Sequence, residues 1–222
     1  MSKIVHPYAH RLIMLRDWKS RWFADPKKYK DNLKGDVLLR EFLDKKLRGM
    51  YISSIEIERN QKATRFIIKT SRPGLIIGRS GEGATKLKEE IVKKMAKLGL
   101  PKLEDFKLEI VEVGNPEADA SIVAYMVAEG LEKRMPYRRV MKQVLEKVMA
   151  TRGVEGARIV LGGRLGGAEI ARSEELKKGS IPLQTFRADI DFKRERATLS
   201  YGVIGIKVWI YRGKVFNQKV KQ

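Results

Sequence analysis

The spacing of apolar residues predicts alternating helices and strands in the first half of the chain. Leu39, Leu43 and Leu47 recur at the interval of one helical turn. Phe106, Leu108 and Ile110 instead alternate with charged residues, which is typical of a strand. The elements predicted in this half are a helix over 31–50, strands over 51–58 and 64–70, a Gly-rich turn at 78–81, a helix starting near Glu82 and a strand around 106–110.

The second half begins with helical spacing and then becomes strand-rich. Pro136 separates two helical segments, and the second of them carries an apolar stripe that includes Met141 and Val144. Further on, Phe186, Ala188, Ile190 and Phe192 alternate with charged residues, which predicts a half-buried antiparallel strand. The predicted elements are helices over 119–134 and 138–151 and strands over 157–161, 186–192, 197–201 and 203–211.

These elements indicate an α+β protein with two domains, a division that the sequence Gly114-Asn115-Pro116 marks most clearly. The first thirty residues are basic, aromatic and weakly periodic, so we expect an arm that orders against a partner or the body. The last ten residues are polar. The predicted organisation is an N-terminal arm (1–34), a first α+β domain (35–114), a second α+β domain with two helices on a mostly antiparallel sheet (115–212) and a tail (213–222).

Charge is the compositional feature that bears on function. The 222 residues include 47 Lys and Arg against 27 Asp and Glu, a formal net charge of +20. The excess is spread over the arm and both domains, which suits a body that contacts phosphate on several faces. There is no cysteine, so disulfides, thiolate catalysis and sulfur-ligated zinc are excluded. With no apolar run near 20 residues, we expect a soluble intracellular protein with a polyanionic partner.

The glycines at 78–83 permit three interpretations. A nucleotide P-loop needs Lys where Ala84 stands, so the triphosphate interpretation fails. The order G-x-x-G-x-G does not match the dinucleotide fingerprint G-x-G-x-x-G. In a GxxG loop, Gly78 and Gly81 would let RNA backbone approach a helix N-terminus, with Arg79 adding a cation. A tight turn with a purely structural role is the ordinary alternative. The preceding Ile76-Ile77 and the basic helix that follows the loop favour the interpretation as an RNA-binding loop.

No constellation of residues predicts an active site. His6 and His10 have i, i+4 spacing, but Pro7 and the lack of nearby ligands argue against a metal. Asp189 and Asp191 share a strand face and could in principle hold Mg²⁺ for nuclease chemistry, but a ladder of charges is the plainer account. We therefore expect no catalytic residue, no bound metal and no cofactor.

Several stretches of the chain resemble known families. Leu75-Ile-Ile-Gly-Arg-Ser-Gly81 resembles the core of a KH domain, and the two strands before it match the type II arrangement. The segment from Gly163 to Arg172, Arg187-Ala-Asp-Ile-Asp191 and the run from Tyr201 to Ile210 resemble the family of bacterial small-subunit ribosomal protein three. The likeness extends from the N-terminus to about residue 214.

The resemblance implies a non-catalytic constituent of the small-subunit head, located in the cytoplasm within the ribosome. Its implied partners are small-subunit rRNA, head proteins ten and fourteen, and messenger RNA at the entry channel with proteins four and five. The family carries a basic patch at that entrance, which fits Arg138, Arg139 and Lys142; from the residues alone, a solvated charged face is an equal explanation. The candidate RNA-binding residues are Gly78, Arg79, Ser80, Gly81, Arg138, Arg139, Lys142, Arg164, Arg172, Lys3, His6 and Arg11.

Two other functions stay open. An RNA-processing enzyme could use the KH domain to hold its substrate, and a free-standing KH protein could regulate messenger RNA. Where many bacterial relatives carry two lysines in the loop, this chain has Arg79-Ser80. We therefore expect a weaker KH clamp here.

Overall fold

A computed structural model describes residues 5–60, 63–98 and 106–216 and divides the chain into two compact units. One unit comprises 18–114, and the other comprises 1–17 together with 115–222. The division between the units falls between Gly114 and Asn115. The N-terminal arm differs from expectation, because its first 17 residues belong to the C-terminal unit and its remainder belongs to the central unit.

The central unit is a four-stranded sheet with helices. Its elements are β1 (Ser20–Arg21), α2 (Pro26–Lys46), β2 (Ile52–Arg59), β3 (Thr64–Thr70), α3 (Pro73–Ile77), α4 (Glu82–Lys97) and β4 (Phe106–Glu112), after a short α1 (Pro7–His10) that belongs to the other unit. Strand order is β1-β2-β3-β4, with β2 antiparallel to β3 and the two outer pairs parallel. We predicted three strands; the two-residue β1 adds the fourth.

Apolar side chains from the helices and the sheet form the core of this unit. Leu39 and Leu43 of α2 and Ile91 of α4 are fully buried beside Ile57 and Phe66 of the sheet. The buried face of α4 consists of Leu87, Ile91 and Met95. Helix α2 begins at Pro26, inside the predicted arm, because proline is favoured in the first turn of a helix.

The C-terminal unit packs two helices on an antiparallel sheet. Its elements are α5 (Ala120–Glu132), α6 (Tyr137–Ala150), β5 (Gly156–Gly163), β6 (Arg172–Gly179), β7 (Ala188–Leu199) and β8 (Gly202–Lys214). The strand order is β6-β5-β8-β7, and every neighbouring pair is antiparallel. Ile159, Leu161 and Val208 pack against Val127 and Val144 of the helices. The predicted α+β class with two helices on an antiparallel sheet is confirmed.

Two strands depart from expectation for physical reasons. β6 was not predicted, because Arg172–Gly179 is a charged, exposed edge strand in which only Leu176 is a large aliphatic residue. The predicted strands 186–192 and 197–201 are one continuous strand, β7, since the charged residues at 193–196 keep their register with β8. β8 also extends to Lys214, two residues into the predicted tail.

Among the described residues, no helix is long and apolar enough to cross a membrane.

Candidate nucleic-acid interface

The glycine loop follows the short helix α3 and leads directly into α4. Gly78 has φ +71° and Gly81 has φ +82°, which are left-handed conformations that favour glycine. Residues Arg79–Gly81 form a tight turn that is not helical at Ser80, and Gly81 is the N-cap of α4 with no side-chain cap. The α4 N-terminus therefore carries the partial positive charge and the donors of an uncapped helix.

Close backbone approach fixes the shape of this loop. A Cβ atom on Gly83 would lie 2.6 Å from the Ile76 carbonyl oxygen and 2.9 Å from that of Ile77. A Cβ atom on Gly78 would lie 3.1 Å from the Gly83 amide nitrogen. Gly83 is thus a structural residue of the site that was not among the candidates, although its place in G-x-x-G-x-G was visible in the sequence.

The side chains of the loop face solvent. Arg79 and Ser80 are exposed, and Leu75 and Ile77 just before the loop are 55% and 38% exposed. Ser80 has φ +52°, an uncommon conformation for a residue with a side chain. An exposed cation, an uncapped helix start and adjacent apolar side chains are suited to holding phosphate and bases of a single strand.

Helix α6 presents a second group of cations. Its buried face consists of Val140, Met141, Val144, Leu145 and Val148. Arg138, Arg139 and Lys142 lie on the remaining surface and are exposed. Because the opposite face is anchored in the core, the three cations are held in a fixed row. We call this row the α6 cation row.

One member of the α6 cation row has an acidic neighbour. Arg138 Nη2 lies 3.4 Å from Glu174 Oε1, and the Tyr137 hydroxyl donates to the same oxygen at 2.8 Å. The Tyr137 hydroxyl, together with Arg138 and Arg172, holds the pKa of Glu174 below its usual range. The hydrogen bond that Arg138 donates to Glu174 raises the pKa of Arg138. Both side chains stay charged at neutral pH, and Arg138 remains 77% exposed.

The candidates Arg164 and Arg172 are both exposed but differ in their contacts. Arg164 Nε donates to the Ala168 carbonyl at 2.9 Å and Nη1 donates to that of Tyr201 at 3.3 Å. Arg164 therefore braces the turn at 164–168 against the β7–β8 hairpin. Arg172 begins β6 and lies close enough to Glu174 to affect its pKa.

The N-terminal candidates for RNA binding include Lys3, which lies outside the described residues. His6 caps α1 by accepting from the Tyr8 amide at 3.2 Å, and its ring contacts Phe192 with centroids 4.8 Å apart.

The structure contradicts the prediction that Arg11 binds RNA, because the residue is buried. It is 1% exposed and donates to the carbonyls of Ala188 (2.6 Å), Pro7 (3.0 Å), Thr185 (3.0 Å) and Leu183 (3.1 Å). A guanidinium buried in this way fastens the N-terminal segment to the C-terminal unit and has no surface for RNA. Burial lowers its pKa, an effect that the nearby Asp189 carboxylate opposes.

The aspartates considered for a metal are held by arginines. Arg16 Nη2 lies 2.7 Å from Asp189 Oδ1, and Arg212 Nη2 lies 3.0 Å from Asp191 Oδ2. Asp191 also accepts from the Ala120 amide at 3.0 Å. These carboxylates serve the packing of the unit, in agreement with a charge ladder.

Comparison with known proteins agrees with this architecture. The model of the KH domain matches residues 38–118, and that of the ribosomal protein S3 C-terminal domain matches 127–210. The small ribosomal subunit protein uS3 of Clostridium novyi is 43% identical over 219 residues, covering 99% of this chain and 96% of the relative. This chain belongs to the ribosomal protein S3 family. The uS3 protein of Nitrosococcus oceani is 41% identical over 222 residues, covering 100% and 96%. The predicted KH domain and S3-type C-terminal domain are thus confirmed.

Proposed function

We propose that this chain is a non-catalytic constituent of the small ribosomal subunit, located in the cytoplasm, that binds small-subunit rRNA through its KH domain. Support comes from the S3-family membership over the whole chain, the net charge of +20 and the exposed glycine loop at 78–81. The implied neighbours are head proteins ten and fourteen and entry-channel proteins four and five.

We further propose that the α6 cation row grips incoming messenger RNA at the entry channel. The observation that carries this is the rigid placement of three exposed cations opposite a buried helix face. Each cation can neutralise a phosphate, and fixed spacing retains a single strand while base pairs ahead of it open. The row supplies neither a chemical step nor energy from nucleotide hydrolysis.

Translation of structured messages tests the role of the row. Arg138→Ala/Arg139→Ala should slow passage through a stable hairpin several-fold more than passage along an unstructured message, in ribosomes reconstituted with each variant. Lys147→Ala/Arg152→Ala is the matched control, because it removes two exposed cations near the other end of α6, one in its last turn and one just beyond its C-cap. Incorporation into small subunits, measured by sedimentation, should be the same for both variants.

Equal slowing on both messages, or a parallel loss of assembly, would show that the α6 cation row is structural.

The same sedimentation experiment, with an assay for RNA cleavage, distinguishes a ribosomal constituent from the two rival functions. A free-standing regulator would stay off the subunit, and a processing enzyme would cleave RNA.

A further inference from the structure

The C-terminal sheet has a second face, on the side away from α5 and α6. At one end of this face Ile190, Phe192, Trp209 and Tyr211 form a small apolar cluster with Ile181 and Leu183. The other end is less apolar, with Val160 and the exposed Val203 as its aliphatic side chains. There, Ser173, Gly162, Gly205 and Arg196 form one row across β6, β5, β8 and β7, because each is the register partner of the next.

Two adjacent glycines make this end concave. Gly162 and Gly205 face each other on the two central strands, and no side chain fills the space above them. The result is a depression of about 500 Å³ whose rim includes Val160, Ser173, Arg194, Arg196 and Lys207. We call it the glycine notch.

The rim of the glycine notch is cationic. Arg194 and Lys207 are direct cross-strand partners, and Arg196 lies two residues further along the same face. All three are exposed. Like charges placed directly opposite each other in a sheet destabilise it unless something neutralises them.

Neither nearby glutamate supplies that neutralisation. The Glu175 carboxylate is bonded to Arg158. Glu195 also lines the depression, but it has the opposite parity on β7, is the register partner of Ile206, and its carboxylate accepts from the Arg196 amide. The cross-strand pair Arg194 and Lys207 therefore fits an anionic ligand.

We propose that the glycine notch binds the sugar–phosphate backbone of RNA, as a surface additional to the glycine loop and the α6 cation row. A floor without side chains lets a flat, bulky ligand approach, and arginine donors match phosphate oxygens. The backbone groups of β5 and β8 are already paired, so the ligand is held by charge and surface contact. A protein segment would more commonly add to a free strand edge, which the floor of the notch lacks.

The salt dependence of binding tests the proposal in the full-length chain. The probe is a transcript of small-subunit rRNA, long enough to engage every surface at once. Arg194→Gln/Lys207→Gln should reduce the slope of log K against log salt by about 1.4 to 1.8, since each lost phosphate contact contributes about 0.7 to 0.9. The control is Lys178→Gln/Lys214→Gln, which removes two exposed cations elsewhere in the unit and should leave the slope unchanged.

A neutral variant separates shape from charge. Gly205→Val fills the notch, and its Cβ would lie 3.7 Å from the Gly162 carbonyl oxygen, an ordinary contact in a strand. The affinity for the rRNA transcript should fall several-fold while the thermal unfolding midpoint stays constant.

The proposal would be overturned if Arg194→Gln/Lys207→Gln kept the salt-dependence slope of the unmodified chain, or if Gly205→Val kept its affinity for the transcript. If poly-glutamate binding fell while RNA binding did not, the notch would belong to an acidic protein partner instead. Absence of RNA binding by the unmodified chain would instead contradict the function proposed above.

Discussion

The two units present their cations to RNA in different ways. In the central unit the loop at 78–81 depends on backbone conformations that glycine adopts, and its only side-chain cation is Arg79. In the C-terminal unit the α6 cation row depends on side chains projecting from a helix whose other face is core. The first surface should be sensitive to added Cβ atoms and the second to lost charge. Binding and stability are therefore coupled at the loop and separable on the helix.

The largest effect expected is at a cation that does not belong to either surface. Arg11→Ala would remove the guanidinium donor from four carbonyl oxygens inside the C-terminal unit, of which that of Thr185 still accepts from the Ala188 amide. We expect a loss of about 3 kcal/mol in the free energy of unfolding, because unsatisfied buried polar groups are costly. Chemical denaturation measures it, with exposed Arg139→Ala as the control. A loss below about 0.5 kcal/mol would mean that Arg11 is not a structural cation.

At the loop, Gly83→Ala tests the dependence on backbone approach. The new methyl group would meet the Ile76 carbonyl oxygen at 2.6 Å, so α3 and α4 must separate. We expect about 2 kcal/mol of destabilisation, as for other overpacked sites, together with weaker RNA binding. Gly74→Ala is the matched control, because nothing lies within 4 Å of its Cβ and its φ is not positive. If the two variants unfold alike, the close approach does not hold the loop.

Gly81→Asp is expected to act more on binding than on folding. There is space for the side chain, but φ +82° makes the position strained by about 1 kcal/mol. The carboxylate would stand at the N-terminus of α4, where phosphate is proposed to bind. Nuclease protection of rRNA at the loop should weaken, whereas Gly81→Asn, with a neutral side chain of the same shape, should retain more of it. Identical protection in both variants would count against phosphate binding there.

The smallest effect expected is a gain. Glu174→Gln removes the carboxylate beside Arg138, so the α6 cation row should bind RNA slightly more tightly at pH 7. The pKa of Glu174 lies below its usual range, so the carboxylate is ionised at neutral pH and is lost only as acid protonates it. Fluorescence titration with labelled RNA measures the gain. Glu146→Gln, on α6 itself, is the control. An equal gain in RNA affinity in this variant would show that only the net charge of the protein matters.

Regular packing made much of the fold predictable from the sequence. Periodic apolar residues identified α2, α6 and β4, and the glycine pattern located the loop. β6 escaped because an edge strand need not carry an apolar alternation, and Arg172–Gly179 is charged and exposed. Arg11 was misjudged because its burial comes from carbonyls more than 170 residues away, which no local pattern reveals.

Site-directed crosslinking tests most directly the claim that the α6 cation row holds messenger RNA. The chain has no cysteine, so Lys142→Cys provides one unique attachment point for a photoreactive probe. In reconstituted small subunits programmed with a defined message, we expect crosslinks to message nucleotides ahead of the decoding site. The corresponding probe at Lys147→Cys should give few or none. Crosslinks from position 142 confined to rRNA or to neighbouring proteins would contradict the account.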